Sequence, residues 1–286
     1  MSTVLVTGST GNVGSLVAEE LRKRAVTVRA AMTPRSFARS STEDSGKVAL
    51  DFEDPATFAA ALAGVDRVFL LRPPRMSDST AMRPFIDALK KGGIQQVVFL
   101  SVQGAGSNPF VPHHGIEQYL KKSGLPWTFL RPSFFMQNLS TTHAPDICER
   151  DEVFVPAGTG RTNFVDVADI AEAAAVVLTE EGHEGKAYEI TGSEALTYEE
   201  VAAILSEACG RQVVYPRPSA REFKERMKSR GHDDEFVSVM GSIYRIASLG
   251  MAAGTTNDLE QLIGRKPTMF REFAQRDVAC FARVAD

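Results

Sequence analysis

The amino-acid sequence predicts an α/β protein with a doubly wound parallel sheet and helices on both faces of that sheet. Through the first half, short β-rich apolar runs alternate with longer segments of helical period. The runs are apolar throughout, without alternating polar residues, which is typical of strands that are buried on both faces. Right-handed βαβ units joining parallel strands account for this order of elements.

The first half supplies most of the predicted sheet. Strands are predicted at residues 4–7, 27–31, 48–50, 67–71, 97–101 and 128–130. Helices are predicted at residues 13–24, 56–62, 82–91 and 115–122. This alternation places the first domain at residues 1–150.

The second half, residues 151–286, predicts a smaller mixed α/β lobe that is mostly helical. Thr197 stands at the N-cap position of one of its helices. We expect this lobe to bind the substrate, to return elements to the main sheet, and to leave a cleft for a small ligand. Its predicted elements are helices at 167–179 and 198–208, strands at 187–190 and 213–215, and mainly helix from 220 onward.

Composition and charge exclude several classes of function. The 32 basic and 36 acidic residues are scattered and give a net charge of −4, so a nucleic-acid-binding surface is disfavoured. Cys148, Cys209 and Cys280 are far apart and lack metal-ligand spacing, so we predict neither a disulfide framework nor a metal site. No apolar run approaches the roughly 20 residues of a membrane span, and no signal peptide is indicated. We therefore expect a cytoplasmic protein that binds neither nucleic acid nor membrane.

A glycine-rich segment joins the first predicted strand to the first predicted helix. Glycines at its three spaced positions allow a tight turn, a close approach to a pyrophosphate, and close packing of the helix. Backbone N–H groups and the positive end of the helix dipole would then bind the phosphates, unless the segment is a tight turn that binds no ligand. The residues predicted to contact a dinucleotide here are Gly8, Ser9, Thr10, Gly11, Asn12, Val13 and Gly14.

Three segments carry a resemblance to a known family. They are Thr7-Gly8-Ser9-Thr10-Gly11-Asn12-Val13-Gly14, Leu130-Arg131-Pro132-Ser133-Phe134-Phe135-Met136-Gln137-Asn138 and Phe164-Val165-Asp166-Val167-Ala168-Asp169-Ile170-Ala171. Their spacing resembles the NmrA-like family of atypical short-chain dehydrogenase/reductases, with a layout most similar to the bacterial NAD(P)H:quinone reductase and triphenylmethane reductase type. The likeness continues to Gly264-Arg265-Lys266-Pro267-Thr268. It implies a Rossmann domain that binds NAD(P)H and a C-terminal lobe that closes over the nicotinamide.

The end of the second predicted strand favours NADP(H) over NAD(H). An acidic residue there would bind the ribose hydroxyls of NAD and repel a 2′-phosphate, and the sequence from Val28 to Arg35 contains none. Arg35 could pair with the 2′-phosphate. The family commonly has arginine where this chain has Thr33, so Arg29 or Arg35 would have to substitute. The alternative for both arginines is a solvent-exposed surface position.

Further cofactor contacts are implied by the resemblance at the ends of later strands. It places the carboxylate of Asp51, followed by Phe52, beside the adenine amino group, although Asp51 could equally cap the following helix. The resemblance also implies that the backbone of Leu71, Arg72 and Pro73 passes along the adenine-side ribose and the diphosphate. At this edge the charge of Arg72 could contact either a substrate or a phosphate.

The residues of the reaction centre depart from those of ordinary short-chain dehydrogenases. Ser101 ends the fifth predicted strand at the position of their serine and is included among the predicted cofactor contacts. Their Tyr-x-x-x-Lys pair fails here, because Tyr119 is followed at the fourth place by Ser123. In its place we predict His113 and Glu117 as catalytic residues, since a histidine titrates near neutral pH and residues four apart share a helix face. The alternative is a capping or surface histidine.

The segment after the sixth predicted strand is implied by the resemblance to pass beside the nicotinamide. Pro132 and Ser133 are predicted to contact the cofactor, and Phe134, Phe135, Met136 and Asn138 to form an apolar wall for the substrate. Core packing is the alternative for some of these side chains.

These residues predict a reductase that transfers hydride from NAD(P)H to a quinone or related conjugated, aromatic small molecule. Hydride transfer needs little from the protein beyond positioning and the exclusion of water, so missing acid–base residues do not exclude it. The alternative is a non-catalytic NAD(P)-binding redox sensor that acts through a protein partner. Homo-oligomerisation is compatible with either function.

Overall fold

The computed structural model describes residues 2–40, 46–73, 76 and 78–283. Over these residues its strands are β1 (Thr3–Val6), β2 (Thr27–Met32), β3 (Lys47–Ala49), β4 (Arg67–Leu71), β5 (Gln96–Leu100), β6 (Trp127–Pro132), β7 (Phe134–Phe135), β8 (Arg161–Val165), β9 (Lys186–Ile190) and β10 (Ala195–Thr197).

Helices follow most of these strands. The α-helices are α1 (Asn12–Lys23), α2 (Pro34–Arg39), α3 (Phe58–Leu62), α4 (Arg83–Lys91), α5 (Pro112–Ser123), α6 (Gln137–Ser140), α7 (Ala144–Arg150), α8 (Val167–Thr179), α9 (Tyr198–Cys209), α10 (Ala220–Ser229), α11 (Asp234–Ser248), α12 (Asp258–Ile263) and α13 (Phe270–Arg276). Short 3₁₀ helices lie at Pro55–Thr57, Ser79–Met82 and Val278–Phe281.

The main sheet confirms the predicted doubly wound α/β class. Among the described residues its seven strands run parallel in the order β3-β2-β1-β4-β5-β6-β9. Side chains of α3, α4 and α5 pack with one face of the sheet, where Phe85 and Leu120 are fully buried. Helices α1 and α8 pack against each other, and α8 also contacts β4, β5 and β6. The carboxyl ends of the parallel strands therefore share one edge.

A second, smaller sheet accompanies helices α9 to α11 and α13. Its order is β10-β8-β7, with β8 parallel to β7 and antiparallel to β10. Aromatic side chains fill the adjoining core, among them Phe164, Tyr198, Phe223 and Tyr244. Helix α9 begins with the predicted Thr197 cap, where the Thr197 hydroxyl accepts from the Glu200 N–H and the Glu200 carboxylate accepts from the Thr197 N–H.

The described residues fall into two compact units. One takes the residues up to Pro132 together with Val167–Ile190 and Asp258–Arg265, and the other takes Ser133–Asp166, Thr191–Asn257 and those from Lys266 onward. The chain thus first passes from one unit to the other after β6, and the domain boundary at residue 150 stays a prediction.

The predicted strand at 213–215 was wrong. Val214 forms only an isolated bridge with Glu152. Pro216, the residue after Tyr215, has no N–H to donate, so a ladder cannot extend past Tyr215. The second sheet instead uses residues that the sequence did not indicate as strands, at β7, β8 and β10. None of the helices in the described part of the chain is both long and apolar enough to span a bilayer.

Candidate functional site

The glycine loop between β1 and α1 has little room for side chains. Gly8 adopts a φ of 61°, in the left-handed region that favours glycine. A Cβ on Gly14 would stand 2.2 Å from the Gly8 carbonyl oxygen, so only glycine permits this approach of α1 to the loop. A Cβ on Gly11 would meet nothing closer than that same oxygen, at 3.4 Å. Gly8 and Gly14 thus shape the loop, whereas the Gly11 position is open on its outer side.

Hydrogen bonds fix the loop to two strands of the sheet. The Ser9 hydroxyl donates to the Ala31 carbonyl at 2.8 Å, and the Thr7 hydroxyl donates to the Phe69 carbonyl at 3.1 Å. The Thr7 hydroxyl also accepts from the Leu71 N–H at 2.8 Å. Thr10, Gly11 and Asn12 are exposed at the start of α1, and no acidic residue stands in its first turn. The N-terminal N–H groups and the helix dipole therefore favour an anion at this place.

Arg29, Thr33 and Arg35 bear on the binding of a 2′-phosphate, and their surroundings differ. The guanidinium of Arg29 donates to the Ala63 carbonyl at 2.7 Å, which ties it to the end of α3. Thr33 is the N-cap of α2, and its hydroxyl accepts from the Ser36 N–H. Arg35 is exposed on α2. Of the two arginines, Arg35 is therefore the one in a position to meet a ligand in solvent.

Asp51 and Phe52 lie in the turn after β3. One carboxylate oxygen of Asp51 accepts from the Glu53 N–H at 3.0 Å, and the Phe52 ring packs edge-on against Phe85, with their centroids 5.0 Å apart. The helix-capping role belongs to Asp54, whose carboxylate accepts from the Ala56 N–H. The contact between Asp51 and adenine stays a prediction.

Arg72 and His113 lie together at the carboxyl edge of the main sheet. The Arg72 Nε approaches the His113 Nε2 at 3.5 Å, and another guanidinium nitrogen of Arg72 donates to the Pro73 carbonyl at 3.1 Å. Burial, with a smaller contribution from the charge of Arg72, lowers the pKa of His113 to about 3. His113 is therefore neutral at pH 7, and its surroundings disfavour the proton donation predicted for it.

Glu117 forms a hydrogen-bonded ion pair with Arg131, and Ser101 is hydrogen-bonded to the same carboxylate. The Ser101 hydroxyl donates to one oxygen of the Glu117 carboxylate at 2.7 Å, and Arg131 donates to both oxygens of that carboxylate at 2.9 and 2.7 Å. Arg131 also reaches Glu189 at 3.1 Å. Glu117 is fully buried, and its hydrogen bond is the largest cause that raises the pKa of Arg131. The structure thus pairs Glu117 with Arg131, whereas its predicted partner His113 lies beside Arg72.

Tyr119 and Lys121 of α5 each have a separate partner in the first unit. The Tyr119 hydroxyl donates to Asp87 at 2.8 Å, and the Arg83 guanidinium lies over the Tyr119 ring. The ammonium of Lys121 lies over the Trp127 ring, 5.3 Å from its centroid. These contacts do not bring the two side chains together.

In the second unit, Ser133 is held by a side chain that the sequence did not single out. The Ser133 hydroxyl donates to the Oδ1 of Asn163 at 2.7 Å. Asn163 is fully buried, and it also bonds Gly192 through both its amide atoms and donates to the Glu194 carbonyl. Asn163 directly precedes the family-like segment that begins at Phe164, and nothing in the sequence there indicates this pairing. Pro132 ends β6, where its carbonyl accepts from the Gln103 N–H in the first unit.

The predicted apolar wall divides into partly exposed and buried side chains. Phe134, Phe135 and Asn138 are partly exposed. Phe134 packs edge-on against Phe164, with ring centroids 5.5 Å apart, and near Tyr244 at 5.8 Å. Met136 is fully buried in the core of the second unit, so the core-packing alternative holds for this side chain. Their contact with a substrate stays a prediction.

Sequence reasoning also missed a buried histidine–tyrosine pair. His143 and Tyr244 are both fully buried, and the Tyr244 hydroxyl bonds the His143 Nε2. Burial lowers the pKa of His143 to about 3, so the ring is neutral and accepts this hydrogen bond. In the described structure the His143 Nδ1 has no hydrogen-bond partner. His143 is the N-cap residue of α7 and Tyr244 lies on α11, and no sequence spacing links them.

Acid is expected to destabilise the protein through His113 and His143. Their pKa values lie near 3 in the folded chain and near 6.5 when unfolded, so the unfolded state binds more protons as the pH falls below 6.5. Stability should be unaffected by these groups above that pH, and each should cost about 2 kcal/mol at pH 5. Urea unfolding at pH 8, 7, 6 and 5 measures this loss. His143→Gln, which can still accept from Tyr244, should flatten the slope below pH 6.5, and an unchanged slope would contradict the prediction.

Comparison with known proteins gives consistent matches over nearly the whole chain. The model of the NmrA-like family matches residues 1–281. An NAD(P)H azoreductase of Xenophilus azovorans is 35% identical over 97% of this chain and 99% of its own. The crystal structure of Escherichia coli quinone oxidoreductase QOR2 complexed with NADPH superposes with a TM-score of 0.85, at 30% identity, over 96% of this chain and 99% of that one. That of the Citrobacter sp. triphenylmethane reductase complexed with NADP(H) gives 0.84, at 28% identity, over 97% and 100%.

Proposed function

Because the chain belongs to the NmrA-like family, we propose that it is an NADPH-dependent reductase that transfers hydride to a quinone or related conjugated, aromatic small molecule. The observation that carries this proposal is the glycine loop at the start of α1. Gly14 admits no Cβ against the Gly8 carbonyl, and the open Gly11 position leaves the N-terminus of α1 accessible to a diphosphate. The bound dinucleotide would supply the hydride.

The preference for NADPH over NADH is assigned to Arg35. The sequence from Val28 to Arg35 contains no acidic residue that would repel a 2′-phosphate, and Arg29 is bonded to Ala63. An exposed guanidinium that pairs with a phosphate contributes roughly 1.4 kcal/mol, which corresponds to about a tenfold change in affinity.

Replacing Arg35 by alanine is therefore expected to raise the KM for NADPH about tenfold and to leave the KM for NADH unchanged. Arg39→Ala is the matched control, since Arg39 is also an exposed arginine of α2. Steady-state kinetics with both nucleotides measure the effect. Equal changes for NADPH and NADH in Arg35→Ala would refute the assignment.

We propose that the reaction proceeds without a Tyr-x-x-x-Lys pair. Tyr119 bonds Asp87 and Lys121 lies on Trp127, so neither is poised to activate the other. The Ser101 hydroxyl is bonded to the Glu117 carboxylate, and the partly buried His113 is neutral at pH 7. A quinone reduced by hydride becomes a stable anion that takes its proton from solvent. The residues present therefore suit an acceptor that needs no protein acid.

Aromatic side chains support a conjugated acceptor. Phe134 and Phe135 follow β6 and are partly exposed in the second unit. Such rings can stack on a flat apolar molecule. The related azoreductase, quinone oxidoreductase and triphenylmethane reductase are each named for a conjugated acceptor. The location of the acceptor in a cleft stays a prediction from the sequence.

The test is oxidation of NADPH at 340 nm by the purified protein with a quinone, an azo dye and a triphenylmethane dye, beside calorimetric binding of NADPH and NADH. Acceptor-dependent oxidation with NADPH preferred supports the proposal. Tight NADPH binding with no turnover on any of the three acceptors would overturn it and favour the non-catalytic redox sensor.

A further inference from the structure

The three cysteines of the chain, distant in sequence, meet in the second unit. Cys148 lies in α7, Cys209 ends α9, and Cys280 lies in the 3₁₀ helix Val278–Phe281. Cys148 and Cys209 are partly buried and Cys280 is exposed. The three cysteines are far apart along the chain but not in the folded protein.

Arg211 holds the backbones of Cys148 and Cys280 side by side. A single guanidinium nitrogen of Arg211 donates to the Ile147 carbonyl at 3.1 Å and to the Phe281 carbonyl at 2.7 Å. These residues directly precede Cys148 and directly follow Cys280. The Cys148 thiol itself donates to the Cys280 carbonyl at 3.3 Å. The Cys148 sulfur therefore lies against the backbone of Cys280, and a bond between the two sulfurs requires the exposed Cys280 side chain to rotate toward it.

Burial keeps the thiols of Cys148 and Cys209 protonated at neutral pH. Burial raises the pKa of Cys148, Arg211 opposes this, and negative charge on Cys209 or Cys280 raises it further. Burial likewise raises the pKa of Cys209. The Cys148 sulfur thus lies within electrostatic reach of both Cys209 and Cys280. The Asp151 carboxylate pairs with the Nε of Arg211 at 2.6 Å, which fixes the guanidinium in place. Within the described residues no three or more His, Cys, Asp or Glu side chains are grouped so that they could hold a metal ion.

We propose that Cys148 and Cys280 are an oxidation site that forms an intramolecular disulfide on exposure to a hydroperoxide. The exposed Cys280 sulfur attacks a peroxide oxygen, the O–O bond breaks, and water or an alcohol leaves, which yields a sulfenic acid. The Cys148 sulfur then attacks the Cys280 sulfur, the S–O bond breaks, and water leaves. Two thiols supply the two electrons that reduce the peroxide. This site is independent of the proposed reductase activity.

The disulfide would join residues 132 positions apart in the chain. Closing a loop of that length restricts the unfolded state, so the oxidised protein should be more resistant to heat. It would also fasten the 3₁₀ helix Val278–Phe281 to α7.

Peptide mapping can identify the bond, because the three cysteines fall in different tryptic peptides. Cleavage is expected to give residues 123–150, 187–211 and 277–283, since Pro132 protects the bond after Arg131. The full-length protein is treated with a small excess of hydrogen peroxide, blocked with iodoacetamide and digested without reductant. We expect peptides 123–150 and 277–283 to be cross-linked, and the Tm to rise by several degrees until dithiothreitol is added.

Variants separate this pairing from the alternatives. Cys209→Ser should retain both the cross-link and the rise in Tm, whereas Cys280→Ser and Cys148→Ser should lose both. Circular dichroism and the Tm of each reduced variant check that it folds, and alanine replaces serine at any position where it does not. A cross-link from 187–211, a disulfide-linked dimer, or reversible oxidation without any cross-link would each overturn the proposal.

Discussion

Replacing Gly14 by alanine is expected to destabilise the first unit by about 3 kcal/mol and to abolish NADPH binding. The new Cβ would stand 2.2 Å from the Gly8 carbonyl oxygen and 2.7 Å from its carbonyl carbon, so either the loop or α1 must move. Both neighbours are backbone atoms, which cannot yield by a change of rotamer as a side chain can. Overpacking of this kind costs roughly 1–3 kcal/mol, and the upper end applies where backbone must shift.

Gly11→Ala is the matched variant. Its Cβ would have no neighbour in the described structure closer than 3.4 Å, so stability should change by less than about 1 kcal/mol. NADPH affinity should nevertheless fall at least about tenfold, because the methyl group would project where the loop N–H groups meet the diphosphate. Denaturant unfolding and calorimetry on both variants measure the two quantities. If Gly11→Ala binds NADPH as tightly as the native chain, the loop is a turn that binds no diphosphate.

Replacing Glu117 by glutamine is expected to cost about 3 kcal/mol of stability, which makes it the other large effect. The fully buried carboxylate accepts two hydrogen bonds from Arg131 and one from Ser101. Glutamine keeps the shape of the side chain, but among the described residues it leaves the largely buried Arg131 guanidinium, 14% exposed, paired with the carboxylate of the half-buried Glu189 alone. Removing one partner of a buried pair costs roughly 3–5 kcal/mol, and the remaining Glu189 places this case at the lower end.

Urea unfolding of three variants tests the origin of this loss. Glu189→Gln, which removes the more exposed partner of Arg131, should cost about 1 kcal/mol. Glu117→Gln combined with Arg131→Met should recover part of the stability lost in Glu117→Gln, because no unpaired charge stays buried. If Glu117→Gln instead keeps full stability and loses turnover, Glu117 acts in catalysis, as its spacing of four residues from His113 led us to predict.

The fold was predictable from the sequence to the extent that its signals are local. The apolar runs at β1, β4 and β5 identify strands buried on both faces, and the alternation with helices identifies parallel order. The capping box of Thr197 and Glu200 and the spacing of Gly8, Gly11 and Gly14 act within a few residues. The strands β7, β8 and β10 carried no such signal, because β7 and β10 have only two and three residues and β8, with the sequence RTNFV, is polar over its first three residues.

The sequence by itself determined the parallel sheet, the glycine loop at the start of α1 and the family likeness, since each depends on residues close together in the chain. Only the tertiary structure decided which side chains meet. It paired Glu117 with Arg131, His143 with Tyr244 and Ser133 with Asn163, and it gathered the three cysteines around Arg211. The physical reason is that burial and hydrogen bonding between distant segments set the charge of these groups, and no spacing along the chain records which segments will touch.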